Sequence, residues 1–273
     1  AHMIDTSSIG RASMAFVGET PWHGLGQALT EGASLAQWTD AAGFNWQALA
    51  AVPHFTRADG SVGVYGDKQL IYRSDTGAPL SIMGDRYNIV QPREVLGFFE
   101  NLIKGGDFHL HTAGVLNGGR RLWALARNGH GGEIVKGDRV DQFLMMATSL
   151  DGTTPTVASF TAVRVVCANT IALALYDARA HLAAAKNGAS GPAKAVKVNH
   201  RSVFDADNVH EQMQLAGGTW EQFQQQATRL ADTSVDLGQA RDLLREVFGA
   251  PVNKSGRKAK QAAEAAKADA SSP

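Results

Sequence analysis

The stretch that most constrains this chain runs from Phe143 to Tyr176, FLMMATSLDGTTPTVASFTAVRVVCANTIALALY, where apolar and β-branched residues are densest. Phe143 to Ser149 reads as a buried strand, and Asp151-Gly152 is a dipeptide of the kind that closes hairpins. Val157, Val163, Val165 and Val166 suit a pleated surface, so Val157 to Cys167 is expected to return as the partner strand. Asn169 or Thr170 then offers a helix cap, with Ile171, Leu175 and Leu182 on one helical face. On the return strand, parity sets Arg164 beside Phe160, Ala162 and Val166. An arginine in an apolar sheet face either pairs with a carboxylate or backbone carbonyl, or contacts a phosphate in a groove.

The flanking segments extend this pattern. Gly18, Pro21, Gly24 and Gly26 punctuate the first thirty residues, which read as a loop strapped to the core by Phe16, Val17, Trp22 and Leu25. Ser34 opens a short helix through Trp38 and Ala42, with Gly43 as its stop. From Trp46 to Val90, strand-like pieces alternate with turns at Asp59-Gly60, Tyr65-Gly66, Asp75-Thr76-Gly77 and Gly84-Asp85, a mark of antiparallel sheet. Pro92 begins one amphipathic helix through Val95, Phe98, Phe99, Leu102 and Ile103, ending at Gly105-Gly106. Residues 107–127 form a hairpin about Asn117-Gly118-Gly119, and the glycine-rich 128–142 reads as a polar turn region.

The expected fold is α+β, a mostly antiparallel twisted sheet with hairpins covered by helices, plus a C-terminal helical segment. Its core would occupy residues 1–186, followed by an arm and helical segment at 187–251. In that segment Asp205, Thr219 and Asp236 start helices. Residues 252–273 carry five Lys or Arg against two acids and almost no large apolar side chain, so they are expected to form a disordered basic tail.

Lys and Arg together number 26, as do Asp and Glu, so no global field draws nucleic acid to the chain and any anion site must be a local patch. A single cysteine, Cys167, rules out an internal disulfide and the multi-cysteine metal patterns. No apolar run reaches membrane-span length and no signal peptide opens the chain, which points to a cytoplasmic protein of the host cell without membrane contact. Phosphate-loop, dinucleotide, HExxH and GxSxG motifs do not occur, so neither an enzymatic activity nor a cofactor is expected.

Single-stranded nucleic acid is held by cations that track phosphates and by aromatic rings on which bases stack. Arg121-x-Trp123-x-x-x-Arg127 offers both on one strand face, and Arg164 or Lys68 would widen the groove, with Arg120 on the opposite face. The competing reading buries the tryptophan under a helix while the arginines reach round it to water. Lys194, Lys197 and Arg201 on the arm, and Lys254, Arg257 and Lys258 on the tail, would add phosphate contacts without sequence preference. His109-x-His111 has a metal-compatible spacing but lacks an evident third ligand, and Cys167 reads as a core thiol, so no metal site is expected.

The segments FVGETPWHGLGQ, SDTGAPLSIMGDRYNIVQPREVLGFF, GGRRLWALAR, ATSLDGT and FTAVRVVCANTIALAL occur in one order. With them, residues 1–248 resemble a phage- and plasmid-encoded family known as domain of unknown function 932. Members similarly open with Ala-His, so Ala1-His2 reads as native. In order of elements the chain is also similar to single-strand annealing proteins of the RecT and Erf type. That likeness implies a homo-oligomer that binds single-stranded DNA and promotes annealing in recombination. It also implies a single-strand-binding protein and an exonuclease as partners. A non-enzymatic interaction or host-takeover protein without nucleic-acid binding is the alternative, which the neutral charge fits.

Overall fold

The computed structural model describes residues 2–7, 10–105, 108–135, 138–187, 195–214 and scattered residues between 225 and 242. Packing divides the chain into two units, Ala1–Gln226 and Ala227–Pro273. In the first unit the elements follow one another as β1 (Met14–Val17), β2 (Gln27–Leu29), α1 (Leu35–Ala41), β3 (Ala48–Ala51), β4 (His54–Thr56) and β5 (Val62–Val64). Next come β6 (Lys68–Arg73), β7 (Pro79–Gly84), α2 (Pro92–Gly97), α3 (Glu100–Lys104), β8 (His109–Leu116) and β9 (Arg121–Val135). Last are β10 (Asp138–Ser149), β11 (Thr156–Thr161), α4 (Ala168–Lys186), β12 (Ala195–Val198) and α5 (Ala206–Gln214).

The protein is α+β. A seven-stranded sheet in the order β12-β11-β10-β9-β8-β1-β2 forms its centre, and every pairing is antiparallel except β1 with β2. A three-stranded sheet, β3-β6-β7, and the separate hairpin β4-β5 complete the strands. Alternation along the central strands feeds two cores. Leu122, Ala124, Ala126, Leu144, Met146 and Ala158 belong to one, which Trp38, Val95, Phe98, Phe99, Ile71 and Val209 cover. Trp123, Leu125, Phe143, Met145, Ala147 and Val157 belong to the other, under Ile171, Ala174, Leu175 and Ala178 of α4. Both faces of the sheet are therefore buried.

Several local expectations hold. Ser34 and Gln37 form a capping box at α1, and Gly43 ends it at φ 73°. The hairpins about Asn117-Gly118-Gly119 and Asp151-Gly152 join β8 to β9 and β10 to β11. Asp205 accepts the Asn208 N–H ahead of α5, and β12 is an edge strand as the arm reading allowed. In the second unit Asp236 and Gln239 exchange backbone to side-chain bonds at the start of helical residues, as a capping pair does. The helix expected at Thr219 and the tail 252–273 lie outside the described residues.

Other expectations need correction. The first thirty residues are not all strap, because β1 is buried within the sheet between β8 and β2. The 128–142 region is not a turn, since β9 and β10 stay paired as far as Val135 and Asp138. Gly131 permits that pairing, because a Cβ there would stand 2.6 Å from Asp141 Oδ1. The helix after Pro92 is broken at Phe98-Phe99 into α2 and α3. The return strand stops at Thr161, whose hydroxyl takes the Val163 N–H, so residues 162–167 leave the ladder. Helix α4 starts at Ala168, and Thr170 does not cap it: its hydroxyl instead accepts the N–H groups of Val166 and Cys167 ahead of the helix.

A buried ion cluster ties these layers together. The wholly buried guanidinium of Arg73 meets Asp5 and Asp75 at 2.9 Å each, donates to the Gly118 carbonyl, and lies 4.3 Å from the Trp46 ring centroid. Burial works against its charge, but the two carboxylates outweigh that and raise its pKa.

Candidate nucleic-acid interface

The strip on β9 is not a groove. Parity does put Trp123 and Leu125 opposite Leu122, Ala124 and Ala126, but the face they share lies under α4 and Trp123 is 0% exposed. Its Nε1 donates to the Thr112 hydroxyl at 3.4 Å, which in turn donates to the Val165 carbonyl. Trp123 therefore offers no stacking surface, which corrects the sequence expectation; the reason is a second layer rather than a wrong register. Gly114, directly across from Trp123, is required there, since a Cβ would come within 2.4 Å of the indole.

The flanking arginines are engaged separately. Arg121 donates to the hydroxyls of Thr153 and Thr154. Arg127, at the far end, lies 3.4 Å from Glu31 and 3.7 Å from Asp141, which offsets its charge. Arg164 does not stand in the sheet face, because its segment has left the strand; it donates to the carbonyls of Val17 and Glu19. Lys68 sits in the three-stranded sheet beside Asp67, and Arg120 donates to the Leu80 carbonyl. The structure does not bring these cations together.

His109, paired with Arg127, and His111, stacked on Phe143, lie on one side of the sheet, as the sequence suggests. The ladder slips between Leu110 and Thr112, so His111 is the extra residue of a bulge and its ring stacks on Phe143 with centroids 5.0 Å apart. Burial, with the charges of Arg164 and Arg127 adding to it, pushes His111 down to about 4. Among the described residues no three His, Cys, Asp or Glu side chains gather as a metal site. Cys167 is buried where the chain enters α4.

The cations of the arm lead elsewhere. Lys197 is exposed on β12, and parity with Ala195 turns it toward α4. Between α4 and β12 runs a groove of about 710 Å³ lined by Arg179, Lys186 and Lys197 over a floor that includes Val157, Leu175 and Leu182. No carboxylate lines it among the described residues, and none of the three cations forms an ion pair with them. A smaller hollow beside β12 shares Lys197 with the groove but also carries Asp205, whereas Arg179 and Lys186 line the groove alone. Arg179 and Lys186 are two helical turns apart on one flank of α4, and Tyr176, 71% exposed, is one turn before Arg179. Arg201 is exposed in the turn after β12 but outside the groove. Lys194, Lys254, Arg257 and Lys258 lie outside the described residues.

Sequence reading picked out Lys197 but missed Arg179, Lys186 and Tyr176. Their signal was the Tyr-x-x-Arg spacing on the polar flank of a helix whose other side, Ile171, Ala174, Leu175 and Ala178, is apolar. Among the described residues no helix is long and apolar enough to cross a membrane.

No curated protein and no solved structure matches the chain. Residues 79–270, more than half of it and including the whole groove, match the family described as Domain of unknown function (DUF932), and the chain belongs to that family.

Proposed function

We propose that the protein binds single-stranded DNA along the groove between α4 and β12. The observation that carries this is three unpaired cations, Arg179, Lys186 and Lys197, on a groove free of carboxylates among its described lining. A chain with equal numbers of acidic and basic residues attracts a polyanion only through such local segregation. Phosphates would be held by the three cations, while the exposed Tyr176, one helical turn before Arg179, offers a ring to an unstacked base. The likeness to annealing proteins extends this reading to strand annealing by a homo-oligomer of phage or plasmid origin. Annealing needs no cofactor, since screening phosphate repulsion and holding bases apart leaves pairing to the strands themselves.

Fluorescence anisotropy of a labelled oligothymidine at several salt concentrations tests the reading. The triple variant Arg179→Ala, Lys186→Ala, Lys197→Ala should bind more weakly and flatten the log–log salt slope by about 2, the release expected from three single-strand phosphate contacts. Absence of wild-type binding at low salt refutes the function, and unchanged binding by the variant refutes the groove. The second reading, a docking groove for an acidic peptide in an interaction protein, draws on the aliphatic floor of Val157, Leu175 and Leu182. It predicts saturable binding of acidic, apolar peptides in place of oligonucleotides.

A further inference from the structure

We infer that Trp22 is a base-stacking platform at the start of α4, a second contact for the strand that the groove binds. The inference rests on the single-strand reading but on different residues. Trp38, Trp46 and Trp123 are buried, whereas Trp22 is 72% exposed. An indole left in water forgoes the burial that usually places this side chain inside.

The ring is also held in place. Pro21 to Gly24 close a turn through the Gly24 N–H to Pro21 carbonyl bond, which puts Trp22 at its corner, and Gly24 supplies φ 69°. Three tethers bind this loop and the N-terminal segment to residues 164–168, just ahead of the helix. Arg164 donates to the carbonyls of Val17 and Glu19, His23 meets the Val166 carbonyl at 3.0 Å, and the Ala168 N–H donates to the His2 carbonyl. His23 Nδ1 accepts the Leu25 N–H and its Nε2 donates to the Val166 carbonyl, so both ring nitrogens hold the loop. The imidazoles of His2 and His23 then edge the indole at 4.7 and 5.4 Å between centroids. With both imidazoles in contact the indole still has 72% of its surface in water.

A solvent-exposed indole on a loop tethered to the start of α4 suits the planar base of a nucleotide in an unpaired strand. Position supports the same partner. Tyr176 and Arg179 lie eight and eleven residues beyond Ala168, about 12 and 17 Å along the helix axis. A strand of a few nucleotides laid along α4 would engage Trp22 and the groove together.

The test compares wild-type protein with Trp22→Ala and Trp22→Phe. The probes are an oligothymidine and an abasic phosphodiester of equal length, with thermal melting as the check on folding. Unlabelled oligothymidine should quench the solvent-exposed part of the tryptophan emission in the wild type and not in Trp22→Phe. Trp22→Ala should weaken oligothymidine binding by roughly 5- to 100-fold, with Trp22→Phe between the two. Binding of the abasic strand should be unchanged. Equal losses on both probes would overturn stacking and leave Trp22 as a support for its loop. Wild-type affinity in Trp22→Ala, with binding still lost in the groove variant, would overturn the platform and spare the groove. No oligothymidine binding by the wild type would overturn both.

Discussion

His111 gives the fold a pH dependence whose size follows from its surroundings. In the folded chain burial and two neighbouring guanidinium groups hold it at about 4, whereas in the unfolded chain it titrates at its ordinary 6.5. As the pH falls below 6.5, the unfolded state takes up the proton first and the native state does not, so stability declines. The decline levels off below the folded value. Above pH 7 the residue contributes almost nothing to the difference, while by pH 5 it costs about 2 kcal/mol, approaching about 3 kcal/mol near pH 4. Urea denaturation at pH 7, 6 and 5, on the wild type and on His111→Gln, isolates this effect because other groups titrate alike in both. The variant loses the stack on Phe143, so it should start less stable at pH 7. The gap between the two should then shrink by about 2 kcal/mol on reaching pH 5. A gap that stays constant to within about 0.5 kcal/mol would mean that His111 titrates normally in the fold, and the account of its burial would be wrong.

Two further perturbations probe the layers on either side of the sheet. Arg73→Met should destabilise by about 3–5 kcal/mol, because it leaves the buried Asp5 carboxylate without its partner at 2.9 Å; a loss below about 1 kcal/mol in urea denaturation would show that the cluster is not holding the N-terminal segment. Gly114→Ala should cost about 1–3 kcal/mol by driving a methyl into the Trp123 indole, and less in a Trp123→Phe background, where the ring that it meets is gone; strictly additive losses in a double-mutant cycle would refute that contact.

These contacts also show why the sequence located the main hairpins but not which of their faces meets water. Turns and caps are local, so Asn117-Gly118-Gly119, Asp151-Gly152 and the helix limits at Ser34 and Gly43 could be read from a few neighbouring residues. β1 could not, since its four residues draw their order from β8, with Phe16 set against Thr112 across the sheet. Glycines at 129, 131 and 132 read as a turn because their usual meaning is conformational freedom. Here Gly131 serves close approach to Asp141 within a continuing ladder.

Alternation on β9 assigned Trp123 its correct face, yet period two separates one face from the other without saying which meets water. On a sheet covered on one side that question answers itself; on this one it is decided by α4, which arrives more than forty residues later. Helix α4 inverts the problem. Its sequence is rich in alanine, so the few long side chains on its flanks, Tyr176, Arg179 and Lys186, have no layer beyond to bury them. In a fold with both sheet faces covered, charge and rings at helix flanks and loop corners are what a ligand can reach. Arg179, Lys186 and Lys197 of the groove meet that condition, as does Trp22 among the described tryptophans.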